Sequence, residues 1–297
     1  MKINPWYIAF VIGVLILIPV QKIIDNRADK KETKYQRTVI SSNDYHYKIN
    51  VPDTGFILPA KLDEISGLST SEDTTLLAAV DDEKGWIYLI GKNDGILWYE
   101  YKFGKAADYE GIEVIGNTAY VVESNGNITR ILNYRETPIV QRYKTYVNSD
   151  DDVEGLATDL AGSNLLLACK ATQSKKNKNR KIYRFRLNDF ELDSVPFLEI
   201  DNKVVNKMMG NKPDGPKFSP SAIAVHPHTG DMFMISSVTG VMIVLKPDGS
   251  IIQVVELDKS VHRQPEGLTF DHHGVMYISN EARDEVAKLY VFSPSSK

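Results

Sequence analysis

The chain has 297 residues, 42% hydrophobic and 25% charged, with 19 Gly, 13 Pro and one Cys, a composition that excludes a disordered, collagen-like or disulfide-stapled protein. Its 39 acids against 35 Lys and Arg leave a formal charge of -4, which removes the usual electrostatic case for a nucleic-acid partner. Length alone admits one large domain or two average ones.

The first predicted element is apolar. From Trp6 to Val20 the chain reads WYIAFVIGVLILIPV without a charge, and Pro5 and the Ile23-Ile24 pair extend it. A spanning helix needs roughly 20 apolar residues, so the run with its flanks predicts a membrane anchor over residues 1–24. Pro19, Val20, Gln21 and Lys22 offer no small-x-small cleavage site, which favours an uncleaved signal anchor over a removed signal peptide. Residues 25–44 read as a polar linker. Lys22, Arg27, Lys30 and Lys31 follow the run while only Lys2 precedes it, so counting charges would place the body inside.

The remainder repeats one phrase: EISGLS at Glu64, DYEGIEVIGNTAYVVES at Asp108, DVEGLATDLAGSNLLLACK at Asp152, SPSAIAVHPHTGDMFMISS at Ser219 and QPEGLTFDHHGVMYISNE at Gln264. With Gly67, Gly111, Gly155, Ala222 and Gly267 as equivalent positions, the spacings are about 44, 44, 67 and 45 residues. Each unit reads as four short strands separated by Gly/Asn/Asp turns; in the second they fall near Gly111 to Ile115, Thr118 to Glu123, Ile128 to Asn133 and Pro138 to Tyr146. Four antiparallel strands repeated five times predict an all-β, five-bladed β-propeller over residues 45–294, preceded by an N-terminal transmembrane helix. The last unit ends near Phe292 after three strands. A strand-like segment, His46 to Val51, is expected to complete it and clasp the ring.

Successive antiparallel strands reverse direction, so the entrance of each innermost strand and the end of its neighbour share one mouth. The entrances carry Ser66 with Glu64 nearby, Glu110, Glu154, Ser221 and Glu266. The neighbouring ends carry Asp81, Asp82, Glu123 and Lys170, then Ser236, Asn280 and Glu281. Carboxylates crowded around a narrow axis raise one another's pKa values unless a cation neutralises them, and an oxygen-only ring suits calcium better than magnesium. The expected metal ligands are Glu110, Glu154, Glu266 and Glu64, with Ser66, Asp81, Asp82, Glu123, Lys170, Ser221, Asn280 and Glu281 around them. The rival reading is that each Glu-Gly pair is a blade-building device whose carboxylate accepts backbone N–H bonds from the next blade. His226, His228, His272 and His273 fall in turns on the opposite face, which disfavours zinc. The basic run Lys175, Lys176, Lys178, Arg180 and Lys181 reads as a solvated loop, Asn202 to Lys217 as an inserted connection that could carry a short helix over a mouth, and Cys169 as a small core thiol.

Glu64-Ile-Ser-Gly-Leu68, Val80-Asp-Asp82, Glu110 through Glu123, Glu154-Gly-Leu156 and Gln264-Pro-Glu-Gly267 with Met276 through Glu281 resemble, in order and spacing, the SdiA-regulated (YjiK-like) family of bacterial envelope proteins. The resemblance covers about Tyr45 to Pro294. It implies a five-bladed propeller distantly similar to NHL-repeat proteins, a calcium site, and a membrane-anchoring N-terminus with the propeller exported from the inner membrane. It carries Glu110, Glu154 and Glu266 over as ligands, with Glu64, Glu123 and Asp82 next. Pro220-Ser221-Ala222 departs from the Glu-Gly form, so a fully symmetric ring of carboxylates is not expected. No Gly-x-Ser-x-Gly elbow, phosphate loop or His-Glu-x-x-His pair occurs. The leading expectation is therefore a calcium-binding module that presents its mouth to a protein or glycan partner. The alternative is a calcium-dependent propeller hydrolase, phytase-like or lactonase-like, whose metal would activate water.

Overall fold

The computed structural model describes residues 39–42, 45–173, 179–283 and 285–296. Among them no helix is long and apolar enough to cross a membrane; the run Trp6 to Val20, on which the anchor is predicted, lies outside the described residues.

Two short strands, β1 (Val39–Ser42) and β2 (Tyr45–Lys48), precede β3 (Thr54–Ile57). Blade 1 is β4 (Ile65–Thr70), β5 (Leu76–Asp81), β6 (Trp86–Gly91) and β7 (Leu97–Lys102), and blade 2 is β8 (Tyr109–Ile115), β9 (Thr118–Glu123), β10 (Ile128–Leu132) and β11 (Ile139–Tyr143). Blade 3 is β12 (Val153–Thr158), β13 (Asn164–Cys169) and β14 (Arg180–Arg186), edged by two fragments, β15 (Glu191–Leu192) and β16 (Leu198–Ile200). A helix, α1 (Asn202–Met208), leads on to blade 4: β17 (Ala222–Val225), β18 (Met232–Ser236), β19 (Val241–Leu245) and β20 (Ile251–Glu256). Blade 5 is β21 (Pro265–Phe270), β22 (Met276–Asn280) and β23 (Lys288–Phe292), with β3 as its fourth strand; β24 (Ser295–Ser296) pairs β2. The five-bladed ring is thus as the repeats predict. The split edge of blade 3 and α1 account for its one long spacing.

The closing strand is not the one expected. Thr54–Ile57 pairs β23 with Phe56 opposite Leu289, whereas Tyr45–Lys48 joins β1 and β24 in a separate small sheet. Tyr47 and Ile49 are fully buried against the core between blades 4 and 5, and the Tyr47 hydroxyl donates to Gly274 O at 2.6 Å and meets His226 Nε2 at 2.9 Å. Their burial under two blades leaves Thr54–Ile57 to lie beside β23. Gly55 is required there, because a Cβ would stand 2.6 Å from the Tyr290 ring. Val39–Ser42, read as linker, forms the outer strand of the small sheet.

The core lies between blades and not around the axis. In β5, Leu77 and Ala79 turn toward blade 5 while Leu76, Ala78 and Val80 turn toward blade 2. Both faces of such a strand are buried, so it reads as an uninterrupted apolar run, while the outer strands β7 and β11 are largely exposed. Each of the five apolar clusters joins two neighbouring blades, the last joining blade 5 to blade 1. Opening the ring therefore exposes a whole cluster.

Arg180, expected in a solvated loop, instead begins β14, is buried, and donates from Nη2 to Ser219 Oγ at 3.1 Å. Lys181 is also part of that strand, while Lys175, Lys176 and Lys178 lie outside the described residues. Cys169 is buried at the end of β13, where burial pushes its thiol up to about 12.

Candidate functional site

The innermost strands β4, β8, β12, β17 and β21 bring Ser66-Gly67, the three Glu-Gly pairs and Ala222 to one narrow axial cavity of about 10 Å³, room for one water-sized body. The repeated glycine is a consequence of that narrowness: a Cβ on Gly67 would lie 2.8 Å from the Cα of Gly111 and 2.9 Å from the Ile112 amide nitrogen. The residue preceding it differs by blade. In blades 1 and 4 a serine tethers the next blade, Ser66 Oγ donating to Tyr109 O and Ser221 Oγ to Pro265 O, each at 2.7 Å. In blades 2, 3 and 5 it is a glutamate. Both hydroxyls donate to a backbone carbonyl, whereas the blade-building reading has a glutamate carboxylate accepting backbone N–H bonds from the next blade.

The three glutamates face one ammonium. Lys170 Nζ donates to Glu154 Oε1 at 2.7 Å, and Ser66 Oγ donates to Glu110 Oε2 at 3.2 Å. Burial, then the charges of Glu154, Asp108 and Glu266, push Glu110 up to about 9 despite Lys170. Burial, then Glu154 and Glu281, push Glu266 up to about 8. Glu154 is raised by burial, with the Lys170 bond opposing. Burial by itself would lower Lys170, but the bond to Glu154 and the charges of Glu154, Asp152 and Glu266 hold it above its ordinary value.

A second acid group lies nearer the rim where blade 5 meets blade 1. Glu281 is pushed up to about 7 by burial and by a carboxyl–carboxyl hydrogen bond with Glu64, and Asp82 to about 6 by burial and by Glu64. Gln264 Nε2 donates to Glu281, and one Asp82 oxygen is buried without a hydrogen-bond partner among the described residues. Glu64 therefore belongs with Glu281 and Asp82, not with the axial three.

Other predicted site residues are placed elsewhere. Asp81 accepts from the Lys84 amide and from the Tyr88 hydroxyl at 2.9 Å, and Glu123 pairs Arg142, so both serve their own blades. Asn280 faces a different cavity. Sequence reasoning missed Asp108, whose charge acts on Glu110 and Glu154 and whose carboxylate accepts from Ser124 Oγ. The repeated Asp-x-Glu-Gly of blades 2 and 3 was its signal. At the far end of the axis Thr158 Oγ1 donates at 3.0 Å to Glu113, which burial pushes up to about 8.

The donor set at the mouth is all oxygen and strongly acidic, which in chemistry and charge fits a hard cation. Among the described residues, however, no three His, Cys, Asp or Glu side chains stand together as a ready metal group.

Fold and site define a five-bladed propeller with a carboxyl-lined mouth. Residues 38–292 match the sequence profile of the SdiA-regulated family, and the chain belongs to that family. No curated protein sequence matches it. Among solved structures it is similar to Myxococcus xanthus glutaminyl cyclase, at 11% identity and a TM-score of 0.57 over 83% of this chain and 97% of that one. It is also similar to a luciferin-regenerating enzyme, at 9% identity and a TM-score of 0.51 over 82% and 95%. At such identities the likeness shows the propeller fold alone.

Proposed function

We propose that this protein is a membrane-anchored, calcium-binding propeller of the bacterial envelope, a non-enzymatic module that offers its acid mouth to a protein or glycan partner. The observation that carries the reading is the axial trio Glu110, Glu154 and Glu266, partly buried and opposed by the Lys170 ammonium. Near neutral pH two of these carboxyls retain protons that a divalent cation would displace. Calcium would supply the positive charge the trio lacks, with Glu64 available from the rim. The axial cavity leaves no room for a substrate, which weighs against a hydrolase centred there. Export and anchoring rest on the family and on the run Trp6 to Val20.

Calorimetric titration of calcium into the full chain in detergent tests the site. Binding with proton release, lost in the Glu110→Ala/Glu154→Ala double variant, is expected; equal heats for the two proteins would remove the site. Calcium-dependent turnover of a phosphoester, lactone or ester, abolished by Glu154→Ala, would transfer the reading to a propeller hydrolase. Protease protection in intact and opened cells fixes the side of the membrane.

A further inference from the structure

At the outer edge of blade 1 a cavity of about 310 Å³ opens, within the range of roughly 300 to 1,000 Å³ usual for small-molecule sites. It lies on the face opposite the mouth, because β4 begins at the mouth and the turns after β4 and β6 therefore fall at the other end of the blade. The Lys92 amide donates to Thr75 O at 3.1 Å and ties these two turns together. Trp98 and Tyr99 of the outer strand β7 both line the cavity and are 53% and 47% exposed. Adjacent residues of a regular strand point to opposite faces. Here β7 carries one extra residue, with Leu97 opposite Ile90 and Tyr99 opposite Leu89, and this bulge lets both rings reach one site.

Gly91, at the end of β6, fits the same site. Its backbone is not left-handed, so no turn demands glycine; a Cβ there would collide with Asp94 Oδ1 and stand 2.9 Å from Trp98 Nε1. Bare backbone thus forms the floor over which a carboxylate and an indole N–H converge. Asp73 Oδ1 accepts from the Thr75 amide at 3.0 Å and Asp94 Oδ1 from the Ile96 amide at 2.9 Å, which fixes both carboxylates and leaves each Oδ2 without a partner among the described residues. The Asn93 amide and the Trp98 indole N–H also have no partner among the described residues. No Lys or Arg lines the cavity, which disfavours an anion. A cation is disfavoured in turn, because Arg135 and Lys92, outside the lining, already offset the charge of Asp73. Aromatic faces bordered by hydrogen-bonding groups match a ring that is apolar on its faces and hydroxylated around its edge.

We propose that this cavity binds a neutral hexopyranose unit of a glycan. The C–H face of the sugar rests on Trp98 and Tyr99, whose ring faces are electron-rich. Hydroxyls at its edge donate to Asp73 Oδ2 and Asp94 Oδ2, and one accepts from the Asn93 amide. None of the axial glutamates takes part, so the site depends neither on calcium nor on the mouth.

The test uses the full chain in a detergent without a sugar headgroup, with a chelator present and methyl β-D-glucopyranoside as probe, since its equatorial substituents leave both ring faces as C–H surface. Titrations are followed by saturation-transfer NMR and tryptophan fluorescence. Saturable binding with a dissociation constant of about 1 mM is expected. Trp98→Ala should weaken it at least tenfold, and Asn93→Ala, an exposed change that removes one hydrogen bond, about fivefold. Methyl β-D-glucuronide and tetramethylammonium should bind at least tenfold more weakly than the glucoside. Absence of saturable binding, unchanged affinity in both variants, or equal affinity for either charged probe would overturn the proposal. So would binding that is lost in Glu110→Ala/Glu154→Ala and kept in Trp98→Ala, which would put the sugar at the mouth. Failure of calcium binding in the separate titration would leave the proposal standing.

Discussion

Replacing Glu110 by Gln should stabilise the calcium-free protein, and by an amount that grows with pH. The unfolded chain releases this proton near the ordinary 4.5, whereas the folded chain keeps it to about 9. Above pH 4.5 the folded state therefore binds more protons than the unfolded one, and stability falls as pH rises until both forms are ionised. Each pH step is worth about 1.4 kcal/mol, so retaining the proton at pH 7 costs about 3 kcal/mol. Gln has the shape of the protonated carboxyl and does not titrate, so it removes this cost while also removing a proposed calcium ligand. For a domain of this size the difference corresponds to about 6 to 12 °C in melting temperature. Urea melts of both proteins in chelator from pH 5 to pH 9 measure it. The two stability curves should be close at the acid end and separate by about 3 kcal/mol at pH 7; parallel curves would refute the reasoning, because a merely structural effect of the amide would not vary with pH.

Three further outcomes follow from the packing. Gly67→Ala places a methyl against the backbone of Gly111 and Ile112, which cannot swing aside, and should cost about 1 to 3 kcal/mol in a denaturant melt. Lys92 and Asp271, each 6% exposed with Nζ and Oδ2 3.4 Å apart, join blade 1 to blade 5; Lys92→Met strands the carboxylate and should cost about 3 to 5 kcal/mol, with part recovered when Asp271→Asn is added. Burial, then the neighbouring His228, lowers His226 to about 4, so it is neutral when folded and its contribution, complete above pH 6.5, is lost as pH falls toward 4. His226→Phe should therefore reduce the stability difference between pH 7 and pH 5 by about 2 kcal/mol, read from melts at the two values.

The ring was legible in the sequence because every blade must meet the same two demands. Its inner strands are buried on both faces, which writes apolar runs such as LLAAV and AYVVE, and its innermost strands pass so close at the axis that a small residue recurs at Gly67, Gly111, Gly155, Ala222 and Gly267. The mouth was legible for a related reason: strand reversal sends Glu110, Glu154 and Glu266 to one edge. Which segment closes the ring was not legible. Tyr45–Lys48 and Thr54–Ile57 are both short and strand-like, and the choice rests on Tyr47 and Ile49 finding the space beneath blades 4 and 5.

What the sequence determined by itself is therefore the repeated unit, the number of blades and the face on which acids gather, since local period and spacing carry all three. The tertiary structure alone decided how those acids are partnered. Ser66 and Ser221 became tethers between blades, Lys170 took Glu154, and Glu64 moved to the rim with Glu281. The net charge of -4 counted these acids without locating them. Apart from Lys170 and Glu154, which lie 16 positions apart on neighbouring strands of blade 3, these partners are more than 40 positions apart, and no local pattern records the distance between them.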